Sequence, residues 1–292
     1  MTQSSTGQNR SSTAIHLHSL VHSFVETLAR FLEKREETTE WIIPESSDQT
    51  PLAQKVRVAL SFLLRLYHLL NAIGLLTVEG MAAQAKLQLR SLVEMAIDLR
   101  YIATNPDDLA QLHLLHEYVT RYRDGKELQD AGVELPPEAL RNLLPLEPRV
   151  KDYLALLSKI EGKSFDKPPR SSWTVRNIAE RASKGYQYFH DNEEIYSLYK
   201  WLCISMHGEA RCHRDYLRTI NGSHGHRLGP SWHLEAYILY LTLVAAGLMI
   251  SAAKSMGAPI NLKEFDFDLG LDRKGIDELL ESDGLIESII IE

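Results

Sequence analysis

Apolar residues recur every three or four positions along most of the 292-residue chain, with no convincing run of alternating polar and apolar residues. This spacing predicts amphipathic helices, because a helical turn takes 3.6 residues. We therefore expect an all-α fold, with one bundle-like domain of six to eight helices at residues 13–256. A disordered leader at 1–12 would precede it, and a tail with a short helix would follow at 257–292. Gly74 and Gly125 are placed to end the second and fourth helices.

The charge balance limits the kind of partner. A net charge of -7 and a pI near 6.0 argue against a protein that coats nucleic acid, whose affinity would come from clustered Lys and Arg. There is no strong DNA-binding signature, although a local basic cleft for an anionic ligand or RNA stays open. Two cysteines and a polar start without a signal-peptide core favour a cytoplasmic protein. No P-loop or dinucleotide fingerprint is present, and we expect no cofactor.

One segment, residues 236–253, runs for 18 residues without a charged side chain. This length reaches the lower limit for a membrane span. Glu235 and Lys254 bound the segment, and polar or small residues dilute it, as is typical of a central helix in a bundle. We expect such a helix, or the interface of a homodimer. A membrane-associated effector is the less favoured alternative.

Three charges, Arg90, Glu94 and Asp98, lie four residues apart in an otherwise apolar helical run. Each step of four advances about 40° around a helix, so they form one stripe with Tyr101 beside them. Apolar residues flank this stripe, and buried charges must be paired to be tolerated. We expect another helix to supply the partners, with His207, Arg211 and His213 as candidates. A purely structural network, or a solvated face with Arg90–Glu94 pairs, remains the competing interpretation.

A second cluster spans residues 205–227, which hold four of the twelve histidines and four arginines. His207 and Arg211 are four residues apart, as are Arg211 and Asp215, so one helix face could present these groups together. Histidine exchanges protons near neutral pH and arginine binds phosphate, which suits phosphodiester chemistry. A solvated helix with incidental histidines is the plain alternative. The pairs His224/His226 and His113/His116 lack the context of a zinc motif, and we expect no metal site.

Three segments together resemble a family of uncharacterised bacterial all-helical proteins: "LRSLVEMAIDLRYIATNP", "SSWTVRNIAERASKG" and "YSLYKWLCISMHGEARCH". The resemblance covers roughly residues 51–253 and implies one arrangement in the fold without supplying a reaction. It singles out Arg90, Glu94, Tyr101, Trp173, Tyr199, Ser205 and His207. A looser similarity is to the HEPN class of helical ribonucleases and toxins, whose Arg and His are spaced like Arg218 and His224. Thr219 departs from the polar residue usual after that arginine.

These observations favour a pocket between the Arg90 helix and the His207 helix that binds an anionic ligand. The expected function is that of a phosphodiesterase or ribonuclease-like hydrolase, and a bacterial defence or toxin system is the expected setting. Among its catalytic groups, Glu94 would orient or activate a nucleophile. His207 or His224 would act as acid or base. Arg211 or Arg218 would stabilise the charge that develops on the phosphate. Ligand-binding groups would be Arg90, Asp98, Tyr101, Tyr199 and His213. The alternative is a non-enzymatic helical interaction module in which the same charges form a structural network.

Overall fold

The computed structural model describes residues 11–37, 50–105, 108–134, 136–170, 172–186, 192–206, 217–220, 223–226 and 234–266. These residues hold nine α-helices and one antiparallel hairpin. The helices are α1 Ser12–Glu37, α2 Pro51–Val78, α3 Ala82–Thr104, α4 Asp108–Asp130, α5 Pro137–Leu143, α6 Leu146–Glu161, α7 Ile178–Gly185, α8 Asn192–Met206 and α9 Glu235–Ser255. The strands are β1 Leu217–Ile220 and β2 Ser223–His226, and a 3₁₀ helix spans Leu262–Phe265. The predicted all-α class is confirmed.

Two helices, α3 and α9, form the centre of the fold. Helix α3 packs against α2, α7, α8 and α9, while α9 packs against α1, α2 and α3. Fourteen of the 23 residues of α3 are buried, including the charged Lys86 and Asp98. The stripe of charges on α3 therefore runs from the buried Asp98 to the partly exposed Glu94 and Arg90.

Helices α2 and α9, among the described residues, are long and apolar enough to cross a membrane by length and composition. Within the fold, 72% of the apolar window of α9 and 50% of that of α2 are buried. Most of the surface that α9 could offer to lipid is thus covered by α1, α2 and α3. This packing agrees with the central bundle helix predicted for residues 236–253, whose apolar run contains polar and small residues.

The predicted helix ends at Gly74 and Gly125 are wrong. Helix α2 continues past Gly74 to Val78, and Gly80, with a φ of 73°, lies just beyond its end. Helix α4 continues past Gly125 to Asp130, and a Cβ at Gly125 would collide with the side chain of Leu143. Gly125 therefore permits close packing inside a helix, whereas Gly80 and Gly132, with φ of 73° and 77°, have the left-handed backbone that favours glycine just beyond the ends of α2 and α4.

The hairpin lies within the cluster of histidines and arginines at residues 205–227. Strands β1 and β2 pair in antiparallel register, with Leu217 opposite His226 and Ile220 opposite Ser223. The two residues between them are Asn221 and Gly222. Asn-Gly is the preferred two-residue connection of a β-hairpin, so the turn residues carried the signal for this element.

Candidate functional site

The charged stripe on α3 meets partners from two directions. Asp98 contacts the segment that leads into α7, and Arg90 contacts α8. Of the partners named from the sequence, His207, Arg211 and His213 lie outside the described residues. The partners that the structure does describe are Arg181, Trp173, Tyr199 and Cys203.

Asp98 forms a closed ion pair with Arg181. The Nε atom of Arg181 lies 2.5 Å from Oδ1 of Asp98, and the indole Nε1 of Trp173 donates to Oδ2 at 3.0 Å. All three residues are buried, with 8%, 3% and 6% of their surface exposed for Asp98, Arg181 and Trp173. Both carboxylate oxygens are therefore occupied by protein donors. We call Asp98, Trp173 and Arg181 the closed end of the stripe.

Arg181 also organises the segment before α7. Its Nη1 donates to the carbonyl oxygen of Arg176 at 2.7 Å and to Oγ of Ser172 at 3.2 Å. The start of α7 is fixed by a capping box, in which Asn177 and Glu180 each accept from the other's backbone N–H. A buried guanidinium is tolerable here because these acceptors and Asp98 satisfy it.

Helix α7 lies directly on the backbone of α3. A Cβ placed on Gly185 would come within 3.0 Å of the Tyr101 backbone nitrogen. Only glycine fits this approach without moving one of the helices. The approach holds Arg181, one turn earlier on α7, within reach of Asp98.

Arg181 is not among the residues predicted from the sequence, although a signal for it exists. Ile178, Arg181, Ala182 and Gly185 occupy positions i, i+3, i+4 and i+7 of α7, the pattern of a core-facing stripe. Arg181, Ala182 and Gly185 are buried as that pattern indicates. An arginine inside an apolar stripe needs a buried acid, and Asp98 occupies the corresponding position on α3.

Glu94 lies between two guanidinium groups without being tightly held by either. Its Oε1 is 3.9 Å from Nη2 of Arg181, and its Oε2 is 3.6 Å from Nη2 of Arg90. Both distances exceed hydrogen-bond range, and 36% of the Glu94 side chain is exposed. This carboxylate is electrostatically stabilised and retains accessible oxygens.

Arg90 joins the stripe to α8. Its Nη2 donates to the hydroxyl of Tyr199 at 2.8 Å, and its Nε donates to Sγ of Cys203 at 3.3 Å. Tyr199 and Cys203 are four residues apart and so lie on one face of α8. The Arg90 side chain is 20% exposed, against 4% for Arg181. We call Arg90, Glu94, Tyr199 and Cys203 the open end of the stripe.

Burial raises the pKa of one group at each end of the stripe. Burial, reinforced by the charge of Glu94, raises the pKa of Asp98 to about 6, although Arg181 and Trp173 oppose this rise. Burial also raises the pKa of Tyr199 to about 12, with Glu94 as the next cause. Tyr199 therefore keeps its proton at neutral pH, and its hydroxyl can accept from Arg90 while donating to another group.

Trp173 is enclosed by aromatic side chains from three helices. The ring of Tyr101 lies 6.0 Å from it and the ring of His113 lies 5.2 Å away, while Tyr153 Oη donates to its carbonyl oxygen at 2.8 Å. Tyr101, which was expected to bind ligand, is 2% exposed. Tyr101 thus belongs to the packing around the closed end.

The histidine pair on α4 is part of this packing. His113 lies between the rings of Phe62 and Trp173, whereas His116 contacts Tyr153. Burial is the main cause that lowers the pKa of His113 to about 3 and that of His116 to about 4. Both imidazoles are therefore neutral at physiological pH. Over the described residues, no three His, Cys, Asp or Glu side chains gather as a metal site would require.

Arg218 and His224, the pair with the spacing of the HEPN motif, lie on opposite strands of the hairpin. The register pairs Arg218 with Gly225 and His224 with Thr219, so the two residues are neighbours without facing each other. Of the residues between them in the sequence, Thr219, Ile220 and Ser223 themselves belong to the two strands.

The comparisons with known proteins identify a family. A model of a family of unknown function, DUF5677, matches residues 56–224, more than half of the chain. The matched region contains every residue of the closed and open ends and confirms the resemblance to an all-helical family without an assigned function. No curated protein and no solved structure matches the chain significantly. The chain belongs to the DUF5677 family.

Proposed function

We propose that this protein is a phosphodiesterase or ribonuclease-like hydrolase that uses the open end as part of its active site. The main support for this proposal is the position of Glu94. Its partly exposed carboxylate lies 3.6 Å from the guanidinium of Arg90 and 3.9 Å from that of Arg181, and it is hydrogen-bonded to neither. A carboxylate that is hydrogen-bonded to neither neighbouring arginine has oxygens that can accept a proton from an attacking hydroxyl.

Arg90 supplies the complementary group for an anionic substrate. A guanidinium carries five N–H donors, and Tyr199 and Cys203 engage two of them. The remaining donors can bind phosphate oxygens, for which arginine is well shaped. The neutral Tyr199 hydroxyl adds a further hydrogen-bond donor. The open end thus combines an acceptor for the nucleophile's proton with donors for the phosphate.

The histidine-rich segment would complete the reaction. His207 follows Cys203 by four residues in the sequence, and His224 lies in β2. In the proposed step, Glu94 accepts the proton of the attacking water or ribose hydroxyl. The oxygen of that water or hydroxyl bonds to phosphorus at the same time. The bond from phosphorus to the leaving oxygen breaks, and that oxygen takes a proton from His207 or His224. Arg211 or Arg218 would stabilise the charge that develops on the phosphate.

RNA cleavage by the purified chain tests this proposal. We expect Glu94→Gln to lower the cleavage rate at least about 100-fold, because the amide cannot accept the proton. Glu117→Gln is the matched control, since Glu117 forms an exposed i,i+4 pair with Arg121 at 3.9 Å on α4. The mechanism would be disproved by unchanged cleavage in Glu94→Gln, or in His207→Ala and His224→Ala alike.

A specific observation favours a second candidate, a non-enzymatic helical interaction module. The closed end is buried, and both carboxylate oxygens of Asp98 are hydrogen-bonded, as expected of a network that fixes α7 against α3. In this alternative, Arg90 would extend the network by tying α3 to α8. Arg90→Ala would then lower the melting temperature sharply without altering any ligand affinity. An unchanged melting temperature would rule out the structural role of Arg90.

A further inference from the structure

We infer that Tyr196 and Tyr199 on α8 form a stacking platform for the bases of single-stranded RNA, next to the open end. This inference rests on the proposed function and names its substrate class. The two rings lie 6.5 Å apart between centroids and are inclined by only 18°. Both side chains are only partly buried, so this aromatic surface is accessible to a ligand.

A cation lies over the face of each ring. The guanidinium carbon of Arg90 is 5.2 Å from the centroid of the Tyr199 ring, and Nζ of Lys200 is 5.4 Å from that of Tyr196. From Ile195 to Met206 the sequence of α8 has no acidic residue. Parallel aromatic rings flanked by Arg and Lys are the combination that binds single strands, because bases stack on the rings and phosphates pair with the cations.

The location gives the platform its role. Tyr199 accepts a hydrogen bond from Arg90, and Arg90 lies 3.6 Å from Glu94, so the platform and the proposed reactive carboxylate share one arginine. A base stacked on Tyr196 or Tyr199 would place an adjacent phosphate near Arg90. Single-stranded RNA fits better than a duplex, whose bases are already stacked on each other and unavailable to tyrosine.

Binding can be measured separately from cleavage. The probe is a fluorescent ten-nucleotide 2′-O-methyl RNA, followed by anisotropy and checked for integrity by electrophoresis, beside an abasic oligonucleotide of the same length. We expect Tyr196→Leu to weaken binding of the base-containing probe about tenfold or more, with no change for the abasic probe. Tyr196→Phe, which keeps the ring, should bind like the wild type. Tyr118→Leu is the matched control. Arg149 lies 5.8 Å from the centroid of the Tyr118 ring, so this tyrosine also has a cationic neighbour, but it lies on α4 and not on α8.

The outcomes separate this inference from the proposed function. Equal affinity of the wild type for the two probes, no binding of either, or unchanged binding in Tyr196→Leu would overturn the platform. If the protein cleaves RNA but Tyr196→Leu binds the probe like the wild type, the platform is disproved and the hydrolase proposal stands. Base-dependent binding that needs the Tyr196 ring, in a protein that does not cleave RNA, would support the platform and remove the hydrolase.

Discussion

The closed and open ends of the α3 stripe hold their charges with very different firmness. At the closed end, Asp98 meets Arg181 at 2.5 Å and Trp173 at 3.0 Å, and all three are buried. At the open end, Glu94 is 36% exposed and lies beyond hydrogen-bond distance from both neighbouring arginines. One helical repeat of charges thus supplies both a fixed attachment between helices and a partly exposed carboxylate. Variants at the two ends should separate stability from activity.

The largest effect on stability is expected at the closed end. Arg181→Met leaves Asp98 buried without its cation and should lower the free energy of unfolding by about 3–5 kcal/mol. Urea denaturation measures this change. Arg121→Met, in an exposed pair with Glu117, is the control and should change stability by less than about 0.5 kcal/mol. Equal losses in the two variants would show that the closed end has no special role.

The pH dependence of stability should depend on His113, which packs on Trp173. Its pKa is lowered from 6.5 to about 3 in the folded protein, so below pH 6.5 the unfolded state binds a proton that the folded state refuses. The stability of the wild type relative to His113→Phe should therefore fall as pH drops from about 6.5 towards 3, by up to about 1.4 kcal/mol per pH unit.

Denaturation curves of both proteins at several pH values give this slope. Asp98 has a raised pKa and acts in the opposite direction, since its contribution is full below pH 3.8 and is lost as the pH rises through about 6. Both proteins contain Asp98, so its effect cancels in the difference. Parallel stability curves for the two proteins would contradict the prediction.

Trp173→Phe tests a single hydrogen bond of the closed end. The substitution keeps an aromatic ring but removes the Nε1–H group that donates to Asp98. We expect a loss of about 1–2 kcal/mol in thermal denaturation, the cost of leaving a buried acceptor with one donor fewer. A loss equal to that of Arg181→Met would mean that packing of the indole, and not its hydrogen bond, determines stability here.

The smallest effect is expected at the open end. Glu94→Gln should change the free energy of unfolding by less than about 1 kcal/mol, because its ion pairs are long and partly solvated. The same variant is expected to lose activity if the hydrolase proposal holds. A large loss of stability would move Glu94 into the structural network and weaken the contrast between the two ends.

Part of this arrangement could be predicted from the sequence. Helical spacing gave the all-α class and placed Arg90, Glu94 and Asp98 on one stripe that needs partners. The identity of the partner could not follow from local pattern, because Arg181 is 83 residues from Asp98 and only tertiary packing brings them together. The prediction that Gly125 ends a helix was wrong because this glycine makes room for the side chain of Leu143. Local sequence does not reveal that contact.

The close approach at Gly185 has a consequence for how such sequences can diverge. With α7 pressed against the backbone at Tyr101, residues 98 and 181 are in direct contact and buried, so loss of either charge alone leaves the other unpaired. Replacing both residues by apolar ones lowers stability less than replacing one of them. The single replacement is therefore the unfavourable intermediate between the two pairs. In homologous proteins, residues 98 and 181 should therefore vary together, whereas glycine at 185 should persist whichever pair is present.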